Sequence, residues 1–406
     1  MAKRNLNLNI IPVEEALEKY FSALEGFLLP KFEKVPAEES LNRITSSAVY
    51  ARLNSPHYNA AAMDGIAVRA AATTGALETN PLTLEEGKDF IPVNTGDPVH
   101  APYDAVIMAE DLIQDNDRQN VIITKSASIM QHIRPIGENI AAGEMIISGK
   151  HKIRPIDIGV IISGGVTHID VYTKPKIAIF PTGSELIDIS RLQDEEIPKE
   201  GAIIESNSRM YEAQVKQAGA EGTRFAPVPD DFEKLKNAIS KAAQNFDMVL
   251  INAGSSAGTE DFTVQVLREI GEVIIHGVAV RPGKPVILAI VNNKPVIGTP
   301  GYPVSAWLSF VTFAAPVLSV LTGSALKPAQ KIEAVLTEQI VSSPKHREYV
   351  RVKLENENGK LTASPLARHS GAAMSLLKAD GFCVIDLGCE LLEAGEIVQI
   401  ELIQEV

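Results

Sequence analysis

The sequence predicts a multidomain protein of the α/β plus β class. Three observations lead there. The chain has 406 residues, where one domain takes about 100–200, so three or four units are expected. Between 173 and 325, apolar strand-like runs alternate with helix-like segments, the pattern of a largely parallel sheet. At 50–140 and from 326 onward, short runs rich in apolar residues are separated by turn residues, the pattern of β structure.

In chain order, residues 11–25 read as an opening helix. Ala16, Leu17, Tyr20, Phe21 and Leu24 recur at helical spacing, with Glu14, Glu15 and Glu18 between them. Within 50–140, the runs Ala105-Val106-Ile107-Met108 and Val121-Ile122-Ile123 are broken by Asn94-Thr95-Gly96-Asp97-Pro98 and Asp115-Asn116-Asp117, which predicts a small β-rich domain. Residues 141–172 carry turns at Gly143, Gly149 and Gly164-Gly165. With 1–49 they are expected to form a discontinuous linker domain in which the opening helix packs. In the α/β domain, 173–325, strands are expected at 176–180, 248–252, 273–280, 286–291 and 295–298. Helices are expected at 207–217 (Ser206 as N-cap, Gly219 as stop), at 232–244 (capped by Asp230 or Asp231), at 262–270 and from about 304. In the C-terminal β domain, 326–406, residues 331–340 and 349–354 alternate, and 355–360 make a turn.

Composition narrows the class. Apolar residues make up 45% and charged residues 22%, as in ordinary globular proteins, and aromatics only 5%, so aliphatic side chains fill the core. The net charge of −13 argues against a nucleic-acid partner, which needs a basic field. It leaves room for a locally basic pocket. The two cysteines, Cys383 and Cys389, form no CxxC pair, which reads as two small structural residues in a reducing compartment. No two of the eight histidines have the spacing of a metal site on one helix. Residues 1–10 are polar and lack the apolar run of a signal peptide. The most apolar stretch, 308–321, contains Pro316 and is shorter than the roughly 20 residues of a membrane span. A cytoplasmic protein with a buried helix there, and no membrane contact, is expected.

Ligands of open α/β sheets bind beyond the C-terminal strand ends. Four loops fall at such ends: Pro181-Thr182-Gly183-Ser184-Glu185-Leu186, Ala253-Gly254-Ser255-Ser256-Ala257-Gly258-Thr259-Glu260-Asp261, Arg281-Pro282-Gly283-Lys284-Pro285, and Thr299-Pro300-Gly301-Tyr302-Pro303-Val304-Ser305. Glycines let backbone approach a ligand, and a following helix offers free N–H groups to an anion. Ser255, Ser256 and Ser305 add hydroxyls, and Arg281 and Lys284 add charge suited to phosphate. Glu185, Asp230 and Asp261 are carboxylates of the kind that hold Mg²⁺. One such loop is no more than a helix cap; four on one edge indicate a phosphorylated ligand with a divalent metal. Neither GxxxxGK[ST] nor GxGxxG is present, which disfavours a nucleotide motor or a dinucleotide enzyme.

In this order the loops resemble the MoeA family of molybdopterin molybdenumtransferases, a family that includes the gephyrin E domain. The resemblance extends over nearly the whole chain. Asn59-Ala60-Ala61-Ala62-Met63-Asp64-Gly65-Ile66-Ala67-Val68-Arg69 is similar to the family's Asn-Ser-Ala-Met-Asp-Gly-Tyr-Ala segment. Thr95-Gly96, Ala105-Val106, Glu110 and Arg134-Pro135-Ile136-Gly137-Glu138-Asn139-Ile140 follow its next motifs, and Arg347, Tyr349-Val350-Arg351 and Ser370-Gly371 its C-terminal ones. The resemblance implies a four-domain, elongated homodimer with a central MoaB/Mog-like α/β domain and an active cleft shared between subunits. It implies molybdate insertion into adenylylated molybdopterin, with Mg²⁺ and release of AMP, and contact with the upstream molybdopterin adenylyltransferase.

By the same resemblance Asp64, Glu185, Asp230, Asp261 and Lys284 are catalytic positions, with Glu185, Asp230 and Asp261 as metal ligands. Thr95, Arg134, Asn139, Gly254, Ser255, Ser256, Gly258, Arg281, Gly283, Pro300, Gly301, Ser305, Arg347 and Ser370 fall at substrate-binding positions. The chain departs from the family at five places. Asn139 stands for Asp, Arg281 for Lys, Tyr302 for Asn, Ala253 for Gly and Ile66 for Tyr. These departures admit a second reading: a weakly active or non-catalytic paralogue that binds molybdopterin or scaffolds a partner.

Overall fold

The computed structural model of the chain describes residues 10–114, 119–192, 197–253, 262–326, 328–357 and 359–403. It divides into two compact units, one of Met1–Phe32 with Tyr172–Val406, the other of Glu33–Val171.

The opening helix, α1 (Val13–Ala23), belongs to the first unit. Its stripe of Val13, Ala16 and Tyr20, with Leu24 beyond it, is buried in the α/β core, and the Tyr20 hydroxyl donates to the Ala289 carbonyl at 3.0 Å. The expectation that this helix packs with 141–172 is therefore corrected. Its apolar face is complementary to a sheet that begins only at Lys176, a pairing that local periodicity does not encode.

In the Glu33–Val171 unit, β1 (Ala60–Ala61) pairs antiparallel with β5 (Ile133–Arg134). β2 (Gly65–Val68) lies between β3 (Phe90–Val93) and β4 (Ala105–Met108), antiparallel to both. Ile66, Val68, Phe90, Ala105, Ile107 and Ile123 form the core of this β-rich part. A second core gathers Val49, Ile147, Ile153, Ile161, Ile169 and Val171 around α2 (Pro155–Ser163). Buried Asp157 ties the start of α2. It accepts from the Arg154 backbone N–H at 2.8 Å and guanidinium at 2.8 Å, and pairs with His151 Nε2 at 2.6 Å. Arg154 first, then His151, hold its carboxyl well below the usual range.

The α/β part of the other unit has a six-stranded sheet. Its strands are β6 (Lys176–Pro181), β7 (Glu221–Arg224), β8 (Met248–Ala253), β9 (Glu272–His276), β11 (Ile287–Val291) and β12 (Lys294–Pro300), in the order β7-β6-β8-β12-β11-β9. β11 alone runs against the direction of the other five strands, so the expected largely parallel sheet is present. Helices α3 (Asn207–Gln217) and α1 cover one face; α4 (Phe232–Asn245) and α5 (Phe262–Ile270) cover the other. Asp231, not Asp230, caps α4, accepting from Lys234 N–H at 3.0 Å. Ser206 makes no cap bond on α3; the buried Glu205 carboxylate accepts from Ser208 N–H at 2.7 Å instead.

The last helix, α6, runs from Pro303 to Thr322. By length and composition alone it would pass for a membrane span, yet Val304, Leu308, Phe310, Phe313, Val317 and Leu321 lie in the core. It widens into a π turn at Phe310–Ala314, just ahead of Pro316, whose missing N–H and bulky ring disturb regular helix.

The expected strand 273–280 is two strands. It breaks at Gly277, and β10 (Val280–Arg281) leaves the α/β sheet to pair in parallel with β14 (Arg347–Glu357). β14 belongs to the C-terminal domain with β13 (Lys331–Leu336), β15 (Lys360–Pro365), β16 (Gly381–Ile385) and β17 (Ile397–Leu402). These five close on themselves, β14-β15-β13-β17-β16 and back to β14, around Val350, Val352, Ala363, Cys383 and Ile400. Burial pushes the Cys383 thiol up to about 11, which suits an inert core residue.

Candidate functional site

The ends of β6, β8 and β12 meet over a buried polar network. Asn207, at the first position of α3, donates through Nδ2 to Asn252 Oδ1 at 2.9 Å and to the Gly301 carbonyl at 2.7 Å. Asn252, near the end of β8, donates to the Pro300 carbonyl at 3.0 Å and Thr299 Oγ1 at 3.2 Å. Tyr211 OH donates to Thr299 Oγ1 at 2.7 Å, and Thr182 N–H donates to the Asn252 carbonyl at 2.9 Å. Burial without these bonds would be costly, so the network fixes where the loops leave the sheet. Of these seven residues, the sequence points to Pro300 and Gly301 as site residues; Asn207, Asn252 and Tyr211 carry no such signal. A polar residue opening a helix or ending a strand reads as a cap.

Glu185 and Asp230 are exposed on adjoining loops of this edge. Asp230 Oδ2 accepts from Ser184 N–H and Ser184 Oγ accepts from Asp230 N–H, both at 3.3 Å. Gly183 sits with φ +142, and a Cβ there would lie 2.7 Å from the Glu185 carboxylate oxygens. Among the described residues no three His, Cys, Asp or Glu side chains form a metal-holding group. Gly254, Ser255, Ser256, Gly258 and Asp261 lie outside the described residues. Two carboxylates fit Mg²⁺ of the kind that takes one or two protein ligands and completes its shell with phosphate oxygens and water.

The loop carrying Arg281, Gly283 and Lys284 lies over the first turns of α6. A Cβ on Gly283, whose φ is +114, would come within 3.4 Å of Ser309 Oγ and 3.9 Å of the Ser305 carbonyl. Pro282, between them, follows a cis peptide bond. Val304 N–H donates to the Ser370 carbonyl at 3.1 Å, and a Cβ on Gly371 would lie 3.4 Å from the Tyr302 ring. The Ser370-Gly371 loop of the C-terminal domain thus rests on the Pro300–Tyr302 turn.

Around these loops stands a cationic cluster built on one buried carboxylate. Glu348 accepts from Arg368 and from Ser342 Oγ at 2.9 Å, and lies 3.9 Å from Arg281 Nε. Arg351, fully buried, donates to the Ala367 and His369 carbonyls just before Ser370. His346 stands close enough to be affected: burial first, then Lys284 and Arg281, lower its affinity for a proton. Arg347 is on the other side of β14, bonded to Asp386 at 2.9 Å and to Glu14 of α1. The structure therefore groups Arg281 and Lys284 with Glu348, Arg351 and Arg368 rather than with Arg347. A buried arginine between Val350 and Val352 was a visible signal for Arg351, because charge seldom sits mid-strand without a partner or a task.

In the Glu33–Val171 unit, Asp64 Oδ1 accepts from Thr95 N–H at 2.6 Å and Thr95 Oγ1 at 2.8 Å. These bonds, the backbone one foremost, hold its carboxyl below the usual range. A Cβ on Gly65 would lie 2.0 Å from the Ile107 carbonyl, so only glycine can follow Asp64 here. Arg134 pairs with Glu138 at 2.6 Å, and Asn139 is exposed, its N–H on the Ser55 carbonyl at 3.0 Å. Both sides of the 60–64 segment are bonded: Gly96 N–H to the Ala61 carbonyl at 2.8 Å, Ala62 N–H to the His132 carbonyl at 2.8 Å. Asp64, Thr95 and Asn139 are thus held on loops that adjoin the β1–β5 pair carrying Arg134.

Family models match three successive stretches of the chain. They are the MoeA N-terminal region (domain I and II) at 11–165, the probable molybdopterin binding domain at 178–320, and the MoeA C-terminal region (domain IV) at 333–403. A Methanocaldococcus jannaschii protein named for molybdopterin biosynthesis is 34% identical over 408 residues, covering 98% of this chain and 99% of its own. The molybdopterin molybdenumtransferase of Bacillus subtilis is 27% identical, with 97% and 94% covered. A solved structure of the molybdopterin biosynthesis MoeA protein of Pyrococcus horikoshii matches at a TM-score of 0.80 with 31% identity, covering 97% of this chain and 99% of that one. From end to end, the chain belongs to the MoeA family.

Proposed function

We propose that the protein is a molybdopterin molybdenumtransferase that inserts molybdate into adenylylated molybdopterin and releases AMP. The observation that carries this reading is the sheet edge. There the loops after β6 and β12, the Arg281–Lys284 loop and the Ser370-Gly371 loop adjoin, with exposed carboxylates on one side and Arg281, Lys284 and Arg368 on the other. The substrate has the same division, a pyrophosphate needing metal and charge, and an oxyanion needing cations.

Lys284 and Arg281 would bind and orient the anionic groups and stabilise charge on the departing phosphate. Ser305, Gly301 and Ser370 supply hydroxyl and backbone contacts, and Gly283 lets the cationic loop lie close to α6. Glu185, Asp230 and Asp261 would hold Mg²⁺, which neutralises pyrophosphate charge when bound. Asp64, Thr95, Arg134 and Asn139 form a second set of polar contacts, and Arg347 is assigned to the anionic substrate by its family position. Gly254, Ser255, Ser256 and Gly258 would cradle phosphate through backbone and hydroxyl groups. A cytoplasmic homodimer with a shared cleft, receiving its substrate from a molybdopterin adenylyltransferase, completes the proposal.

The test supplies adenylylated molybdopterin, Mg²⁺ and molybdate and follows AMP. Release well above the protein-free rate is expected; a rate at background would leave the ligand-binding paralogue as the reading. Unchanged release by Asp261→Asn would remove that residue from the metal set.

A further inference from the structure

We propose that Asn207 and Asn252 are positioning residues, a bridge of two amides that sets the spacing of the ligand-bearing loops after β6 and β12. The inference rests on the proposed function for what those loops bind, but its geometry stands by itself.

Asn252 is 5% exposed and Asn207 8%. Each uses both amide hydrogens inside the protein: Asn207 on Asn252 Oδ1 and Gly301, Asn252 on Thr299 and Pro300. Neither therefore has a donor left for a ligand, which separates positioning from binding. The main chain of Asn252 extends the reach of its amide: its backbone carbonyl accepts from Thr182 N–H at 2.9 Å and from Thr182 Oγ1 at 3.2 Å, just before Ser184 and Glu185. Its own strand ends at Ala253, where the serine-rich loop begins. Through Pro300 and Gly301 the pair holds the turn on which Ser370-Gly371 rests. Backbone bonds along the parallel strands fix their register, but they end with the strands. Beyond them, the amide bridge holds the Pro300 and Gly301 carbonyls to β8 and α3, next to the Tyr211 hydroxyl on Thr299.

Aspartate is nearly isosteric with asparagine but places an acceptor where the network needs a donor. In Asn252→Asp, a carboxylate oxygen would face the Pro300 carbonyl; in Asn207→Asp, one would face Gly301. The loops must separate to relieve this, and a misplacement of about 1 Å costs roughly 10²-fold in turnover. We expect kcat for AMP release to fall by about that factor, with the dissociation constant for adenylylated molybdopterin changed by less than roughly threefold, since no ligand contact is lost. Asn245→Asp, at the exposed end of α4, should match the unsubstituted protein.

Hydrogen exchange supplies a readout independent of turnover. Segments 182–186 and 300–305 should exchange about tenfold faster in Asn252→Asp, while the barrel of the C-terminal domain keeps its protection. If that variant does not fold, Asn207→Ser, which removes one amide at the rim of the network, is judged by the same criteria. A kcat within twofold of the parent, or unchanged exchange in both segments, overturns the proposal. Absence of AMP release by the parent protein would sink the transferase reading alone, and the exchange data would then decide the positioning role.

Discussion

Replacing Glu348 by glutamine should move stability and anion affinity in opposite directions. Glu348 is 3% exposed, accepts from Arg368 and Ser342, and faces Arg281 at 3.9 Å. Glutamine keeps the volume and can keep one hydrogen bond to each neighbour, so the loss is the charge assistance. A charge-assisted bond contributes about 1 kcal/mol more than a neutral one, giving an expected destabilisation of about 1–2 kcal/mol. For anion binding the sign reverses. At 3.9 Å and an effective dielectric constant near 20, the Glu348–Arg281 attraction has an upper bound of about 4 kcal/mol. Arg281 is 63% exposed, and solvent screening cuts that to about 1 kcal/mol at most. Releasing this attraction makes Arg281, and Arg368 with it, freer to meet an oxyanion, by up to about fivefold in affinity. Isothermal titration with molybdate at low salt, alongside urea unfolding, reads both numbers. The gain should shrink as ionic strength rises. A weaker molybdate affinity in a folded Glu348→Gln protein would refute the idea that this carboxylate competes with the ligand for the cations.

Three further predictions concern other parts of the chain. Gly65→Ala should fail to fold its β-rich part or lose more than about 3 kcal/mol, because a methyl 2.0 Å from the Ile107 carbonyl cannot be relieved by a rotamer change; a variant with parental proteolytic resistance would contradict this. Tyr20→Phe should cost about 1–2 kcal/mol by leaving the Ala289 carbonyl short of a donor, read as a lowered Tm. His346, observed by NMR, should titrate below the ordinary histidine range, and an anion bound between Lys284 and Arg281 should raise its pKa by cancelling their repulsion. The sign for stability follows. Because the folded-state pKa is lowered, His346 contributes stability above the ordinary value of about 6.5, and that contribution is lost as pH falls through the folded value.

The α/β sheet was legible because its strands and helices are locally encoded: α3 begins at Asn207 and α5 spans Phe262–Ile270, as spacing and caps suggested. The loops carrying Glu185 and Gly301 follow β6 and β12 and were legible for the same reason, whereas the placement of the Lys284 loop was not, because the strand before it breaks at Gly277 and pairs again with the C-terminal domain. Long-range complementarity was not. Nothing near Tyr20 announces that its hydroxyl ends on Ala289, and nothing near Val280 announces a partner strand at Arg347. That second pairing also decides side-chain direction. Once Arg281 lies opposite Glu348, alternation places Arg347 on the other face with Glu14 and Asp386, so the arginine chosen from sequence stands away from the arginines that share the cluster. Asn207 and Asn252 escaped notice because amides have no spacing rule; their role exists only where two strand ends and a helix start converge.

Strand β10 has a mechanical consequence. It is two residues long, hydrogen-bonded to the barrel, and followed at once by the cis bond to Pro282 and the loop ending at Lys284. The cations are therefore mounted on the barrel's edge although their sequence lies within the α/β domain. Arg281 and the Ser370 loop therefore share one mount: the β10–β14 pairing and the Val304–Ser370 bond anchor both to the same barrel edge, so a substitution that loosens that edge disturbs two loops distant in sequence at once.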